Sequence, residues 1–344
     1  MKLTSTRLRV IGAVIAVLAV VAAACSSSGS TTSTSGTGVG SGGTIKLVAY
    51  STPQAAYTQI EAAFQKTSAG KGVKFQESYG ASGDQSRAVA AGQPADYVSF
   101  SLEPDMTRLV KAGLVASTWN ANQYKGMVTN SVVVFIVRKG NPEHIKTWDD
   151  LTRSGVKVLT PNPFSSGAAR WNILAGYGAQ LKQGKTPEQA KQYLADLFKN
   201  VVAQDTSARN ALQNFTSGEG DVLLSYENDA IFAQQKGKAI DYVIPTQTIL
   251  IQNPAAVTVK ASNPQLAKAW LDFLYTPTAQ KIFADNGYRP VVSGVVPAGK
   301  FVTPTVLFTI DDLGGWTDVT KTFFDKDNGI VTKIEQDKGV STSS

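Results

Sequence analysis

From Thr44 onward the chain alternates short β-branched runs with longer runs of helical spacing, and that alternation restricts it to an α/β architecture. Extended segments are expected at 45–50, 73–78, 97–100, 131–137, 156–160, 221–225, 240–244 and 256–259. Helical runs lie between them. The one over about 53–66 carries Tyr57, Ile60, Ala63 and Phe64 on one face, and the one over 187–198 carries Ala190, Leu194 and Leu197 likewise. The two longest extended-looking stretches, 130–139 and 248–259, read as crossings. They divide the chain into a discontinuous first lobe, 44–130 plus 250–344, and an inserted second lobe, 131–249, with a cleft between them. A length of 344 residues accommodates two such units.

Composition removes most chemistry. Hydrophobic residues at 42% and charged residues at 17% exclude a disordered chain or a coiled coil. One Cys and one His exclude disulfide scaffolds, Cys/His zinc sites and a C-x-x-C redox pair. His144 sits in Asn141-Pro142-Glu143-His144, a turn-like stretch after a strongly apolar strand, which reads as a solvated loop and not as the base of a triad. Phosphate-loop and dinucleotide signatures are missing. Asp325-Lys326-Asp327-Asn328-Gly329 with Glu335 misplaces the Gly and Glu of a calcium loop by one position each and reads as a polar turn. No metal, cofactor or catalytic residue is therefore expected.

Lys2, Arg7 and Arg9 precede an apolar and small-residue run over 10–24, too short for the roughly 20 residues of a spanning helix. Residues 1–24 read as a secretory signal peptide. Without them 30 Lys and Arg face 26 Asp and Glu, a mild excess that points to no nucleic-acid partner. Ala22-Ala23-Ala24-Cys25 resembles the bacterial lipobox, with Ala22 where Leu is commonest, and the resemblance implies that Cys25 is lipidated and becomes the new N-terminus. Residues 26–43 are Ser, Thr or Gly apart from Val39, a flexible tether on the order of 25 Å. The expected location is the outer face of the bacterial cytoplasmic membrane, in the periplasm or cell envelope, held by the lipid anchor.

Three segments share a strand, a Ser/Thr/Gly-rich turn and a helix start: Ser78-Tyr79-Gly80-Ala81-Ser82-Gly83, Pro163-Phe164-Ser165-Ser166-Gly167-Ala168 and Asp205-Thr206-Ser207-Ala208. Converging helix starts with small residues and hydroxyls make an anion cage. The same residues are also ordinary helix caps. Arg87, Arg170 and Arg209 fall near these starts, where the macrodipole disfavours a cation. Each either meets a carboxylate, offsets the field of a bound anion, or forms an interlobe bridge on the rim.

Thr160-Pro161-Asn162-Pro163 running into Ser165-Ser166-Gly167-Ala168-Ala169-Arg170-Trp171-Asn172, Gly220-Asp221-Val222-Leu223-Leu224-Ser225-Tyr226-Glu227-Asn228, Tyr288-Arg289-Pro290, and Leu307-Phe308-Thr309-Ile310-Asp311-Asp312 with Gly314-Gly315-Trp316 together resemble the sulfate/thiosulfate-binding proteins of bacterial ABC importers, over about 44–336. The resemblance implies a type II periplasmic-binding-protein fold whose two α/β lobes close on a tetrahedral oxyanion. It also implies a monomer that captures sulfate or thiosulfate without reacting with it, for delivery to ABC permease subunits with a cytoplasmic ATPase. Carried over residue by residue, the ligand donors would be the Ser51 N–H, the Ser82 and Ser166 hydroxyls and the N–H groups of Gly167, Ala168 and Ala208. Ser51 stands for a usual Asp, Ala168 for a Gly, Asp84 for a Lys, and Tyr226 for a Trp that donates its indole N–H. A phenol both donates and accepts, whereas an indole only donates. Tyr226 thus keeps molybdate and phosphate as alternative ligands. An envelope ester hydrolase with a cage Ser as nucleophile lacks a base, and a surface adhesin or sensor is the third alternative.

Overall fold

The structure, a computed structural model, describes residues 42–340 and 342. The signal peptide, Cys25 and nearly all of the tether lie outside the described residues. The strands are β1 (Gly43–Tyr50), β2 (Val73–Gly80), β3 (Tyr97–Ser99), β4 (Met127–Arg138), β5 (Val158–Pro161), β6 (Val201–Asp205), β7 (Val222–Tyr226), β8 (Ile240–Val243), β9 (Gln247–Val257), β10 (Arg289–Pro290) and β11 (Val306–Phe308). The helices are α1 (Gln54–Phe64), α2 (Ser82–Ala90), α3 (Glu103–Lys111), α4 (Gly167–Lys182), α5 (Pro187–Lys199), α6 (Ala208–Thr216), α7 (Glu227–Gln235), α8 (Pro264–Leu274), α9 (Pro277–Asp285), α10 (Gly315–Phe324) and α11 (Ile330–Asp337). Each expected strand is found. β6 was not expected, because Val201-Val202-Ala203-Gln204-Asp205 carries no clean alternation, and neither were the short β10 and β11.

Paired strands run in the order β2-β1-β3-β9-β4-β7-β5-β6. β1 is parallel to β2 and β3, and β5 is parallel to β6 and β7. The two stretches read as crossings join these parallel groups. β4 and β9 pair antiparallel from Met127 opposite Pro254 to Val132 opposite Leu250. Beyond that shared stretch, β9 continues along β3 and β4 along β7. The unbroken apolar run of β4 follows from burial on both faces. Val133, Phe135 and Val137 enter one core with Trp148, Leu174 and Leu197, while Val132, Val134 and Ile136 enter another with Leu212, Phe215 and Leu223. The first group is sandwiched likewise: Leu47, Tyr57, Phe64 and Trp270 pack on one face, and Val48, Phe100, Met106 and Leu109 on the other.

The C-terminal segment was expected in the first lobe, but it packs on the inserted part. β11 pairs parallel with the start of β9, Val306 opposite Gln247, and carries the chain toward the β4–β7 side. Phe308, Ile310, Val319, Phe323, Phe324 and Val331 then join the core of Phe135, Trp148 and Leu174. The Gln204 side-chain amide donates to Glu335 at 2.8 Å, tying α11 to β6.

Glu61 is an outlier on α1, 9% exposed with Oε1 unpartnered. Burial, and secondarily Glu77, push its carboxyl up to about 8. A folded-state value above the ordinary carboxylate range means that unfolding releases a proton. The stabilisation is complete below the unfolded pKa and is lost as pH rises toward 8. Stability by urea unfolding is expected to fall between about pH 5 and pH 8.5, and Glu61→Gln to recover on the order of 1 kcal/mol at the higher pH. An unchanged slope in the variant would exclude Glu61 as its source.

Candidate functional site

Ligands of open α/β sheets bind outside the carboxyl ends of parallel strands. Here the segments leaving five such ends line one recess: Tyr50, Ser51 and Thr52 at β1, Gly80, Ala81 and Ser82 at β2, Ser101 after β3, Ser166 and Ala168 after β5, and Ala208 after β6. The recess is tightly closed, with a cavity volume of only about 10 Å³. A larger hollow of about 360 Å³ runs past Lys46, Gly92 and Lys260, but it opens at the C-terminal end of α2, where the helix dipole repels an anion.

No side chain lining the recess is charged. The positive potential comes from helix starts: α2 begins at Ser82, α4 at Gly167 and α6 at Ala208. The first amides of a helix have no carbonyl one turn back to pair with, and they sit at the positive end of the macrodipole. Gly83 is an exception, since its N–H donates to the Ser165 carbonyl at 3.0 Å.

Hydrogen bonding separates capping serines from free ones. Ser207 is an ordinary cap whose hydroxyl accepts the Asn210 N–H at 3.2 Å. Ser166 is the N-cap of α4 yet makes no cap bond, and it lines the recess at 3% exposure. Its hydroxyl is available to a ligand. Ser82 differs from the expectation. Its hydroxyl donates to Asp105 Oδ2 at 2.6 Å and accepts the Ser101 N–H at 2.9 Å. A hydroxyl has one hydrogen, and here Ser82 directs it to a carboxylate, whereas donation to a ligand was expected of it. Asp105 also receives Arg108 Nη1 at 2.8 Å, which balances its charge.

Ser51, Ser166, Ala168 and Ala208 are thus brought together, with Gly167 between two of them in the chain, while Tyr226 stands behind the wall. A methyl group at Gly167 would lie 2.6 Å from Ser101 Oγ and 2.8 Å from Leu102 Cδ2, so only glycine allows α4 to start this close to β3. Tyr226 is fully buried, with its hydroxyl 2.6 Å from Ser101 Oγ and either atom able to donate. It reaches the recess through Ser101. The Ser101 carbonyl accepts from Trp171 Nε1 at 2.8 Å and from Asn253 Nδ2 at 3.0 Å, which pins the residue in place. Sequence reading missed Ser101, although Phe100-Ser101-Leu102 before the Glu103-Pro104 helix start is a fourth strand, turn and helix unit. It also missed Tyr50 and Thr52, because an aromatic residue at a strand end reads as core.

The three arginines make carbonyl bridges. Arg87 pairs with Asp84 at 2.5 Å, which neutralises the charge that replaced the expected Lys, and reaches the Phe164 carbonyl at 3.1 Å. Arg209 donates to the Thr52 carbonyl at 2.8 Å, lies over Phe232 and stands 3.9 Å from the buried Asp229. Arg170 donates to the Pro163 carbonyl at 2.8 Å and lies over Phe324. Burial lowers its pKa to about 10. Arg87 and Arg209 therefore tie the β1–β2 side of the recess to the β5–β7 side through neutral acceptors, where rim salt bridges were the alternative.

A family model described as bacterial extracellular solute-binding protein matches residues 45–289. The sulfate-binding protein of Synechococcus elongatus is 44% identical over 303 residues, covering 85% of this chain and 86% of that protein. The thiosulfate-binding protein of Pseudomonas aeruginosa is 34% identical over 302 residues, covering 83% and 90%. Among solved structures, the sulfate-binding protein SubI from Mycobacterium tuberculosis H37Rv superimposes with a TM-score of 0.80 at 46% identity, over 82% of this chain and 99% of that one. The two-lobed α/β fold is the one shared by periplasmic binding proteins.

Proposed function

Since the chain belongs to the bacterial extracellular solute-binding proteins, we propose that it captures sulfate, with thiosulfate as the second candidate, for delivery to ABC permease subunits and their cytoplasmic ATPase. The observation that carries this reading is Ser166, a buried N-cap hydroxyl that caps nothing and faces a recess of uncharged donors and helix starts. Fully ionised sulfate accepts hydrogen bonds at every oxygen, which suits a wall of donors. Phosphate near neutral pH brings a proton of its own, and a donor facing that proton is left unsatisfied. Ser51, Ser166, Gly167, Ala168 and Ala208 would supply the donors, with Tyr226 orienting Ser101. Micromolar binding needs about 8 kcal/mol, which a handful of charge-assisted bonds at roughly 1.5–3 kcal/mol each supplies.

The lobes would then be about 44–130 with 250–305, and 131–249 with the C-terminal segment, closing over the anion as one population shift. The protein would work as an exported monomer held to the outer face of the membrane through lipidated Cys25, without turnover of its ligand.

Calorimetric titration of protein freed of sulfate, with sulfate, thiosulfate, molybdate and phosphate in turn, tests the reading. Saturable sulfate binding with phosphate silent is expected, and Ser166→Ala should weaken sulfate by about tenfold or more. Molybdate or phosphate binding with sulfate silent would reassign the ligand. An unaltered affinity in Ser166→Ala would remove that hydroxyl from the site.

A further inference from the structure

We propose that the Tyr50 hydroxyl is an additional ligand donor of this recess, giving the bound oxyanion one hydrogen bond beyond those of the helix starts and serines. The inference rests on the oxyanion-binding reading above. Tyr50 ends β1, lines the recess and is 3% exposed, yet its hydroxyl makes no well-formed hydrogen bond, although the hydroxyls of Tyr288 and Thr52 stand beside it. Five other buried phenols make hydrogen bonds. Tyr57 and Tyr97 pair at 2.7 Å, Tyr193 donates to the Trp148 carbonyl at 2.8 Å, and Tyr226 pairs with Ser101. Tyr288 and Thr52, the hydroxyl neighbours of Tyr50, bond to each other at 2.9 Å.

A buried polar group without a partner opposes folding. Phenylalanine would pack the same ring against Leu102 and Val133 without that penalty. Tyr288 and Thr52 are bonded to each other, which leaves the Tyr50 hydroxyl free to turn toward an anion in the recess that Tyr50 lines. Burial first, and then Tyr288 and Tyr57, push the phenol well above its ordinary pKa. It keeps its hydrogen throughout the physiological range and can donate to an anion.

The test titrates the full-length wild type, Tyr50→Phe and Tyr97→Phe with sodium sulfate, and records the thermal unfolding of each without sulfate. Tyr50→Phe is expected to lose about tenfold or more in affinity while its sulfate-free unfolding temperature is unchanged or higher. Tyr97→Phe, which removes a satisfied phenol from the same side of the molecule, should keep its affinity and lose stability. Wild-type affinity in Tyr50→Phe, or a lowered sulfate-free unfolding temperature, would overturn the proposal, because the hydroxyl would then have no ligand or a partner within the protein. A wild type that fails to bind sulfate rejects the sulfate reading itself, an outcome distinct from a binding wild type with an unaffected Tyr50→Phe.

Discussion

Replacing Arg289 with methionine is expected to destabilise the protein by about 3–5 kcal/mol, the range for removing one partner of a buried ion pair. Glu227 at the start of α7 is 1% exposed, and Arg289 grips both of its carboxylate oxygens, Nε to Oε2 at 2.7 Å and Nη2 to Oε1 at 3.1 Å. Arg289 belongs to β10, which pairs with β4 at Asn130, so the ion pair ties the chain after α9 to the inserted part. Burial already raises the Glu227 pKa against the pull of Arg289. Without the guanidinium the carboxyl is raised further, and its protonated form becomes the better tolerated one. The deficit should shrink as pH falls through the carboxylate range and grow as pH rises above it. Urea unfolding at about pH 5 and pH 8, with Glu227→Gln/Arg289→Met as the rescue, measures this. A deficit below about 1 kcal/mol that ignores pH would refute the assignment.

Gly167→Ala is expected to reduce sulfate affinity by about a hundredfold while leaving the fold in place. The added methyl group would meet Ser101 Oγ and Leu102 Cδ2 at distances that real Cβ atoms do not adopt. Ser101 cannot yield easily, because its amide, carbonyl and hydroxyl are all engaged. The start of α4 must shift instead, and with it the Gly167 and Ala168 amides and the Ser166 hydroxyl. Overpacking costs about 1–3 kcal/mol of stability. Binding should suffer more, since two or three of the proposed charge-assisted bonds, at roughly 1.5–3 kcal/mol each, would lose alignment together. Paired calorimetry and thermal unfolding separate the effects. A loss of stability with unchanged affinity would show that α4 does not present the ligand donors.

Sequence alone determined the α/β class, each strand of the parallel groups except β6, and the two long crossings, because hydrophobic periodicity is a local property. It also located the starts of α2, α4 and α6, where strand, small-residue turn and helix follow one another within a few residues. The wiring at those starts was decided only by the tertiary structure. Nothing local distinguishes Ser166 from Ser207, yet one hydroxyl is free and the other caps its own helix. The hydrogen of Ser82 goes to Asp105, 23 residues away, and the Tyr226 hydroxyl pairs with that of Ser101, 125 residues away. Tertiary contacts also decided where the C-terminal segment packs, since Val306 of β11 pairs with Gln247 of β9, far back in the sequence. Which polar group is left without a partner depends on every neighbour that folding brings near it, and for Tyr50 that became visible only once the recess was assembled.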